Sequence, residues 1–319
     1  MQTIAILGAA GRVGDAAARA FVKAGWRVKG VARSSKGDQL APGVEWVKAD
    51  AFDRRSLVAA CRGADVVLNA LNPQYTEWEE KVMPMAENVV AAVEAAGATQ
   101  LLPGNVYNFG LEIAVGTRED APQVPSTPKA RIRIAMEELF RRKAGESGVQ
   151  TLVLRAGDFY GGVKREAWLD LMILSKLKKD VFIWPGPMDL PHAFAYLPDL
   201  GEAFVRLAEK RGELPVFDRF HFAGHSLTGT QMKAATEEAV GRPLSRRGVP
   251  WTLLRAGGLF VPMLRELVVM SYLWRTPHSL DGSKIEAALG PLPTTDPVRA
   301  IRQAVADLAL DRETRAMAA

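Results

Sequence analysis

A run near the start of the chain, Gly8-Ala9-Ala10-Gly11-Arg12-Val13-Gly14, has the spacing of a phosphate cradle. It follows a short apolar segment, Thr3–Leu7, and opens an alanine-rich stretch with helical spacing from Val13 to Ala24. In that context Gly8 permits the tight turn, Gly11 lets the backbone approach a pyrophosphate, and Gly14 lets the helix lie close to a sheet. The N–H groups from Ala10 onward and the helix dipole then hold the negative charge. The nucleotide type is read after the second apolar run, in Val31-Ala32-Arg33-Ser34-Ser35-Lys36, where no carboxylate appears before Asp38. A site that binds ribose hydroxyls places Asp or Glu there, whereas an arginine fork suits a 2′-phosphate. Arg33, with Arg12 acting from the glycine loop, points to NADP rather than NAD.

Other chemistries have little support. A single cysteine, Cys61, excludes a disulfide framework and any thiolate zinc site, and points to a reducing cytoplasm. His221 and His225 are close in sequence but have no third ligand, so no metal is expected. The formal charge of +5 comes without a nucleic-acid motif and reads as solvated surface plus a local demand for phosphate. No leader is expected at the N-terminus. The most membrane-like stretch, Val249–Trp274, contains Arg255, Arg265, Glu266, Pro250 and Pro262. It falls short of a span and reads as buried helices or a subunit contact. The expected partner is a small-molecule substrate, with no nucleic acid and no membrane, and the expected assembly is a monomer or homodimer.

The elements that must position these residues alternate along the first half. Strands are expected at Thr3–Leu7, Arg27–Ala32, Val44–Lys48, Asp65–Asn69, Gln100–Pro103 and Thr151–Leu154. Helices are expected at Arg54–Cys61, Glu77–Ala96 and Lys129–Ala144. Such alternation implies an α/β fold, a doubly wound parallel Rossmann sheet covered on both faces. Ligands then bind beyond the carboxyl ends of the strands, where strand order reverses. From about Phe159 the pattern changes. Residues 159–319 read as a smaller, mainly helical substrate lobe on a core of residues 1–158, with residues 197–209 returning to the core. Helical pattern is expected at Ala256–Tyr272, Ser283–Ala288 and Pro297–Asp307, and a strand at Arg219–Ala223.

The GxxGxxG spacing resembles extended and atypical members of the short-chain dehydrogenase/reductase superfamily, including its epimerase/dehydratase branch. The runs Ala64–Ala70, Leu154–Gly161, Tyr196–Leu200 and Lys284–Gly290 resemble further motifs of that superfamily. The resemblance implies that Asp50 and Ala51 lie by the adenine, and that Asn69, Ala70 and Leu71 form the loop beside the cofactor. It also implies a catalytic Tyr-x-x-x-Lys pair on the helix after strand five, but here those positions hold Lys129 and Arg133. A literal Tyr160-x-x-x-Lys164 occurs only after strand six and reads as coincidence.

The segment Lys129-Ala130-Arg131-Ile132-Arg133 is similar to the Lys-x-x-Ile-Arg motif of isoflavone reductase-like proteins, whose lysine is catalytic. That resemblance implies either proton transfer by Lys129 or anchoring of the nicotinamide ribose. Asn105 and Tyr107 stand where the superfamily has its catalytic hydroxyl. Tyr107 supplies a replacement hydroxyl or is packing. Tyr75, Trp78, Phe159, Trp168, Trp184 and Phe194 line an aromatic pocket or belong to the core. The expected activity is NADPH-dependent reduction of a small aromatic or carbonyl-containing molecule. The alternatives are an NADP-sensing regulator of the NmrA-like kind and an epimerase or dehydratase.

Overall fold

In the computed structural model, which describes residues 1–311, the first half alternates as its hydrophobic pattern dictates. The elements are β1 (Thr3–Leu7), α1 (Arg12–Lys23), β2 (Arg27–Ala32), β3 (Glu45–Lys48), α2 (Arg54–Cys61) and β4 (Val66–Asn69). They continue with α3 (Trp78–Ala96), β5 (Thr99–Gly104), α4 (Pro128–Ser147) and β6 (Thr151–Arg155). The inner strands β1, β4, β5 and β6 are buried on both faces, as a covered parallel sheet requires, whereas β3 at the edge is largely exposed. In β1, Ile4 and Ile6 pack with α1, while Ala5 and Leu7 pack with α2 and α3. This is the alternation of a strand between two helical layers.

Later elements are β7 (Asp158–Tyr160), β8 (Val181–Trp184), β9 (His192–Tyr196), α5 (Leu197–Lys210), β10 (Phe217–His221), β11 (His225–Leu227) and α6 (Gly229–Val240). They are followed by β12 (Ser245–Gly248), α7 (Trp251–Gly257), α8 (Pro262–Val269), α9 (Ser283–Leu289) and α10 (Pro297–Asp307). The main sheet has the order β10-β6-β5-β4-β1-β2-β3, all parallel, so the strand order reverses between β1 and β4. Helix α5 packs against α1 in the main core. The second half also returns to the core at a place the sequence did not suggest. Strand β10 pairs with β6, Phe217 opposite Thr151, because Phe220 is apolar enough to extend the buried sheet.

The rest of the second half has its own core, where Trp184, Phe194, Tyr160 and Trp274 pack with residues of α6 and α10. Residues 312–319 of the expected lobe lie outside the described residues. One expectation is corrected here. The stretch from Val249 to Trp274 is buried only in part: α7 buries only Trp251 and α8 buries nothing, whereas Met270, Ser271, Leu273 and Trp274 are buried. Gly257, Gly258 and Pro262 break the helical pattern into a short hairpin whose Leu253, Leu259, Phe260, Val261 and Met263 face water while Leu254 and Val268 pack against the second core.

Candidate functional site

The glycine loop sits at the reversal point of the sheet. Gly8 has φ 79°, and a Cβ there would stand 2.7 Å from the carbonyl oxygen of Ala70 at the end of β4. A Cβ at Gly14 would stand 2.4 Å from the carbonyl oxygen of Gly8. The first turn, α1 and the β4 loop therefore close on one another with no space for side chains. Gly11 begins α1 in extended geometry and no side chain caps it. The first-turn N–H groups of Arg12, Val13 and Gly14 have no intrahelical acceptor, and Ala10 lies beside them. An uncapped helix start over bare backbone fits a pyrophosphate.

Around this loop, Arg33 is exposed and makes no ion pair among the described residues. An oxygen of Asp50 accepts from the Phe52 N–H at 3.0 Å. The Ala51 carbonyl accepts from Asn88 at 2.9 Å. Asn69 is buried and its side-chain oxygen accepts from the Leu71 N–H at 3.4 Å. Arg12 departs from its expected place opposite Arg33. Its guanidinium donates to the Phe159 carbonyl at 3.4 Å, on the second-lobe side. Burial lowers its pKa, against the opposing pull of Asp170, Tyr75, Glu166 and Asp158. The physical reason is charge: acidic groups of the lobe attract Arg12.

Across the cleft, α4 begins at Pro128 behind Thr127, whose hydroxyl caps the Ala130 N–H at 3.2 Å. That start fixes Lys129, which is only 4% exposed. Its ammonium is ion-paired with Glu266 of α8 and lies 4.9 Å from the centre of the Tyr75 ring. The hydroxyls of Tyr75 and Tyr107 are 2.7 Å apart. Burial raises the pKa of both phenols, that of Tyr107 well above its ordinary value. Both therefore remain protonated near neutrality. In such a pair one hydroxyl donates to the other, and the accepting hydroxyl keeps a proton free for a third group.

Tyr107 also packs against Trp78. One turn along α4, Arg133 lies over the Trp78 ring at 4.9 Å, and burial lowers its pKa. Its Nε is buried without a partner. The side-chain oxygen of Asn105 accepts from the Tyr107 N–H at 3.0 Å, so this atom orients the tyrosine segment.

Two participants escaped the sequence reading. Glu266 arrives from a helix distant in sequence, and no spacing rule links it to Lys129. Asp158 belongs to a quoted motif, but its partner His192 does not. The Nε2 of His192 lies 2.9 Å from the Asp158 carboxylate. The His192 ring stacks on Trp274, with centroids 4.0 Å apart, and His278 adjoins it at 4.5 Å. The charge of Asp158 raises the pKa of Tyr75, Tyr107, Tyr272 and Arg12, so it lies near this cluster.

The remaining candidates are occupied elsewhere. Tyr160 bonds the Nδ1 of His225 at 2.7 Å, while Lys164 donates to the Gln39 carbonyl at 2.6 Å, so the pair does not act together. The Nδ1 of His221 lies 2.9 Å from the Thr117 carbonyl, and the Nε2 of His225 lies 2.7 Å from that of Thr295. Trp184 and Phe194 are core, and Trp168 meets the edge of Trp274. Burial pushes the Cys61 thiol up to about 12, which leaves it unreactive.

Residues 1–290 match the family model described as the NmrA-like family. No curated protein matches the chain. Similar solved structures include UDP-glucose 4-epimerase from Thermotoga maritima with UDP-glucose, at 17% identity and TM-score 0.77, covering 96% of this chain and 98% of that one. A nucleoside-diphosphate-sugar epimerase from Pseudomonas aeruginosa is 21% identical with TM-score 0.74, covering 96% of each chain. The Bordetella bronchiseptica enzyme WbmH in complex with NAD+ is 17% identical with TM-score 0.74, covering 96% of this chain and 98% of that one. At these identities the likeness is one of fold.

Proposed function

On the premise that the chain belongs to the NmrA-like family, we propose that it is an NADPH-dependent reductase of a small carbonyl-containing or aromatic molecule. The observation that carries this reading is the buried Lys129 beside a pair of protonated tyrosine hydroxyls, across the strand ends from an uncapped glycine loop. The bound cofactor supplies a hydride. The first-turn N–H groups of α1 hold its pyrophosphate, and the exposed Arg33 holds the 2′-phosphate. The NAD+ in the Bordetella enzyme of the same fold supports a nicotinamide dinucleotide in this loop. As the substrate carbonyl is reduced, Lys129 or the free hydroxyl of the Tyr75–Tyr107 pair gives a proton to its oxygen. Glu266 must first yield its place on Lys129 to the substrate.

A panel of ketones, imines and phenylpropanoids, screened for NADPH oxidation, tests the reading. Turnover of at least one compound is expected, with NADH much poorer as the donor. A second reading, a sensor that binds NADP without consuming it, draws on one observation: Lys129 is already neutralised by Glu266. An epimerase reading has less support, since α4 carries Lys129 and Arg133 where that branch needs its tyrosine and lysine.

A further inference from the structure

The hairpin of α7 and α8 is chemically unlike the rest of the surface. Leu253, Leu259 and Phe260 are 71%, 81% and 86% exposed, and Val261 and Met263 are exposed beside them. Apart from Met1, no large hydrophobic side chain among the described residues is more exposed than Leu259 and Phe260. Both occupy the turn between the two helices, the part of the hairpin farthest along the chain from the buried Trp251 and Met270.

The base of this turn is cationic. Arg246 and Arg247 of β12 immediately precede the hairpin, Arg255 lies in the last turn of α7, and Arg265 in α8. All four are exposed, and none makes an ion pair among the described residues. The only acidic residue from 245 to 269 is Glu266, whose carboxylate is engaged by Lys129. An apolar tip of this size in water marks a contact surface. Its arginines select the partner. A second copy docked about a two-fold axis would set this cationic patch against itself, at a cost in like-charge repulsion. An anionic lipid surface complements both parts at once.

We propose that the α7–α8 hairpin is a membrane-interface anchor for anionic bilayers. Leu259 and Phe260 enter the boundary between headgroups and acyl chains, while Arg246, Arg247, Arg255 and Arg265 bind lipid phosphates. An apolar insertion with a basic rim is the two-signal arrangement that gives reversible membrane binding. No helix among the described residues is long and apolar enough to cross a membrane, and a surface anchor needs none. The sequence expectation of no membrane partner rested on the lack of a span, which does not bear on this mode of contact. The anchor is continuous with the site, because α8 also packs against residues 75–77 and carries Glu266 to Lys129. The inference is nonetheless independent of the reductase reading.

The test is sedimentation of the full chain with vesicles of phosphatidylcholine alone and of phosphatidylcholine mixed with phosphatidylglycerol. Binding to the mixed vesicles is expected to be at least ~10-fold stronger, and to weaken several-fold in high salt. The double variant Leu259→Ser, Phe260→Ser is expected to abolish it with an unchanged melting temperature, since both side chains are in water. Arg255→Gln with Arg265→Gln is expected to remove most of the preference for the anionic lipid. Failure of the wild-type chain to sediment with either vesicle would overturn the proposal. So would a wild-type dimer that the double serine variant converts to monomer without any vesicle binding, which would identify the occupant as a second copy.

Discussion

The glycine loop and the Lys129 cluster stand at the same edge of one sheet but are built by opposite means. The loop is made from adjacent residues, and Gly8 and Gly14 are fixed by the lack of a side chain. The cluster works through side chains, brought together from residues 75, 107, 129, 158, 192 and 266. Positions that act through backbone are sensitive to added volume. Positions that act through side chains are sensitive to the removal of one functional group. A cofactor site of the first kind tolerates little variation, while a cluster of the second kind can be rebuilt for another substrate without disturbing it.

The sharpest way to separate the two regions is Lys129→Ala. NADPH affinity is expected to remain nearly intact while turnover falls by about 10²–10⁴-fold. Steady-state kinetics beside calorimetry measure the two quantities. Loss of affinity with little change in turnover at saturation would move Lys129 from chemistry to cofactor anchoring.

Gly14→Ala probes the backbone side. The added methyl meets the Gly8 carbonyl at 2.4 Å, so α1 must shift away from the loop. A stability loss of roughly 1–3 kcal/mol is expected from such overpacking, together with weaker NADPH binding. Chemical denaturation and calorimetry read both effects. Unchanged values in both would show that α1 does not need this close approach.

Arg33→Asp tests the nucleotide choice at the same end. Removing a charge-assisted bond worth roughly 1.5–3 kcal/mol should weaken NADPH binding about tenfold to a hundredfold and turn preference toward NADH. Equal affinity of the wild-type protein for both cofactors would break this assignment.

A change of pH also distinguishes the regions. All histidines lie in the second half of the chain, and burial lowers His221 to about 4 and His278 to about 3. In the unfolded chain both bind protons near the ordinary value of 6.5. Between those values the unfolded chain holds more protons than the folded one. Stability therefore falls as the pH drops through 6.5 and keeps falling toward 4, by about 1.4 kcal/mol per pH unit for each histidine. Melting curves between pH 7 and 5 should show the decline, and His278→Gln should flatten it. An unchanged slope would place the acid sensitivity elsewhere.

The contrast also explains what was legible in the sequence. Strands β1 and β2, helix α2 and the glycine loop are specified by local pattern, turn chemistry and spacing, and they were read within a residue or so of their observed bounds. Lys129 and Tyr107 could be singled out as candidates because the helix and the segment after β5 each have a recognisable place in the alternation. The Glu266 and His192 contacts were not legible, because each depends on a chain crossing between the lobe and the core. Arg12 was misplaced for the same reason: its direction is set by carboxylates more than 140 residues away, such as Asp158 and Asp170. The break at Gly257 and Gly258 was missed, since Ala256–Tyr272 read as one helical pattern, and exposure of the hairpin follows only from what the lobe leaves uncovered.

The central claim is that Lys129 itself moves a proton, and Lys129→Arg tests it most directly. Arginine keeps the positive charge and much of the reach but cannot release a proton near neutrality. Single-turnover oxidation of NADPH by a substrate from the carbonyl panel is the measurement. The account predicts NADPH affinity close to that of the wild-type protein and a loss of rate nearly as deep as that of Lys129→Ala. Wild-type rates in the arginine variant would contradict it and leave Lys129 as an anchor for the cofactor.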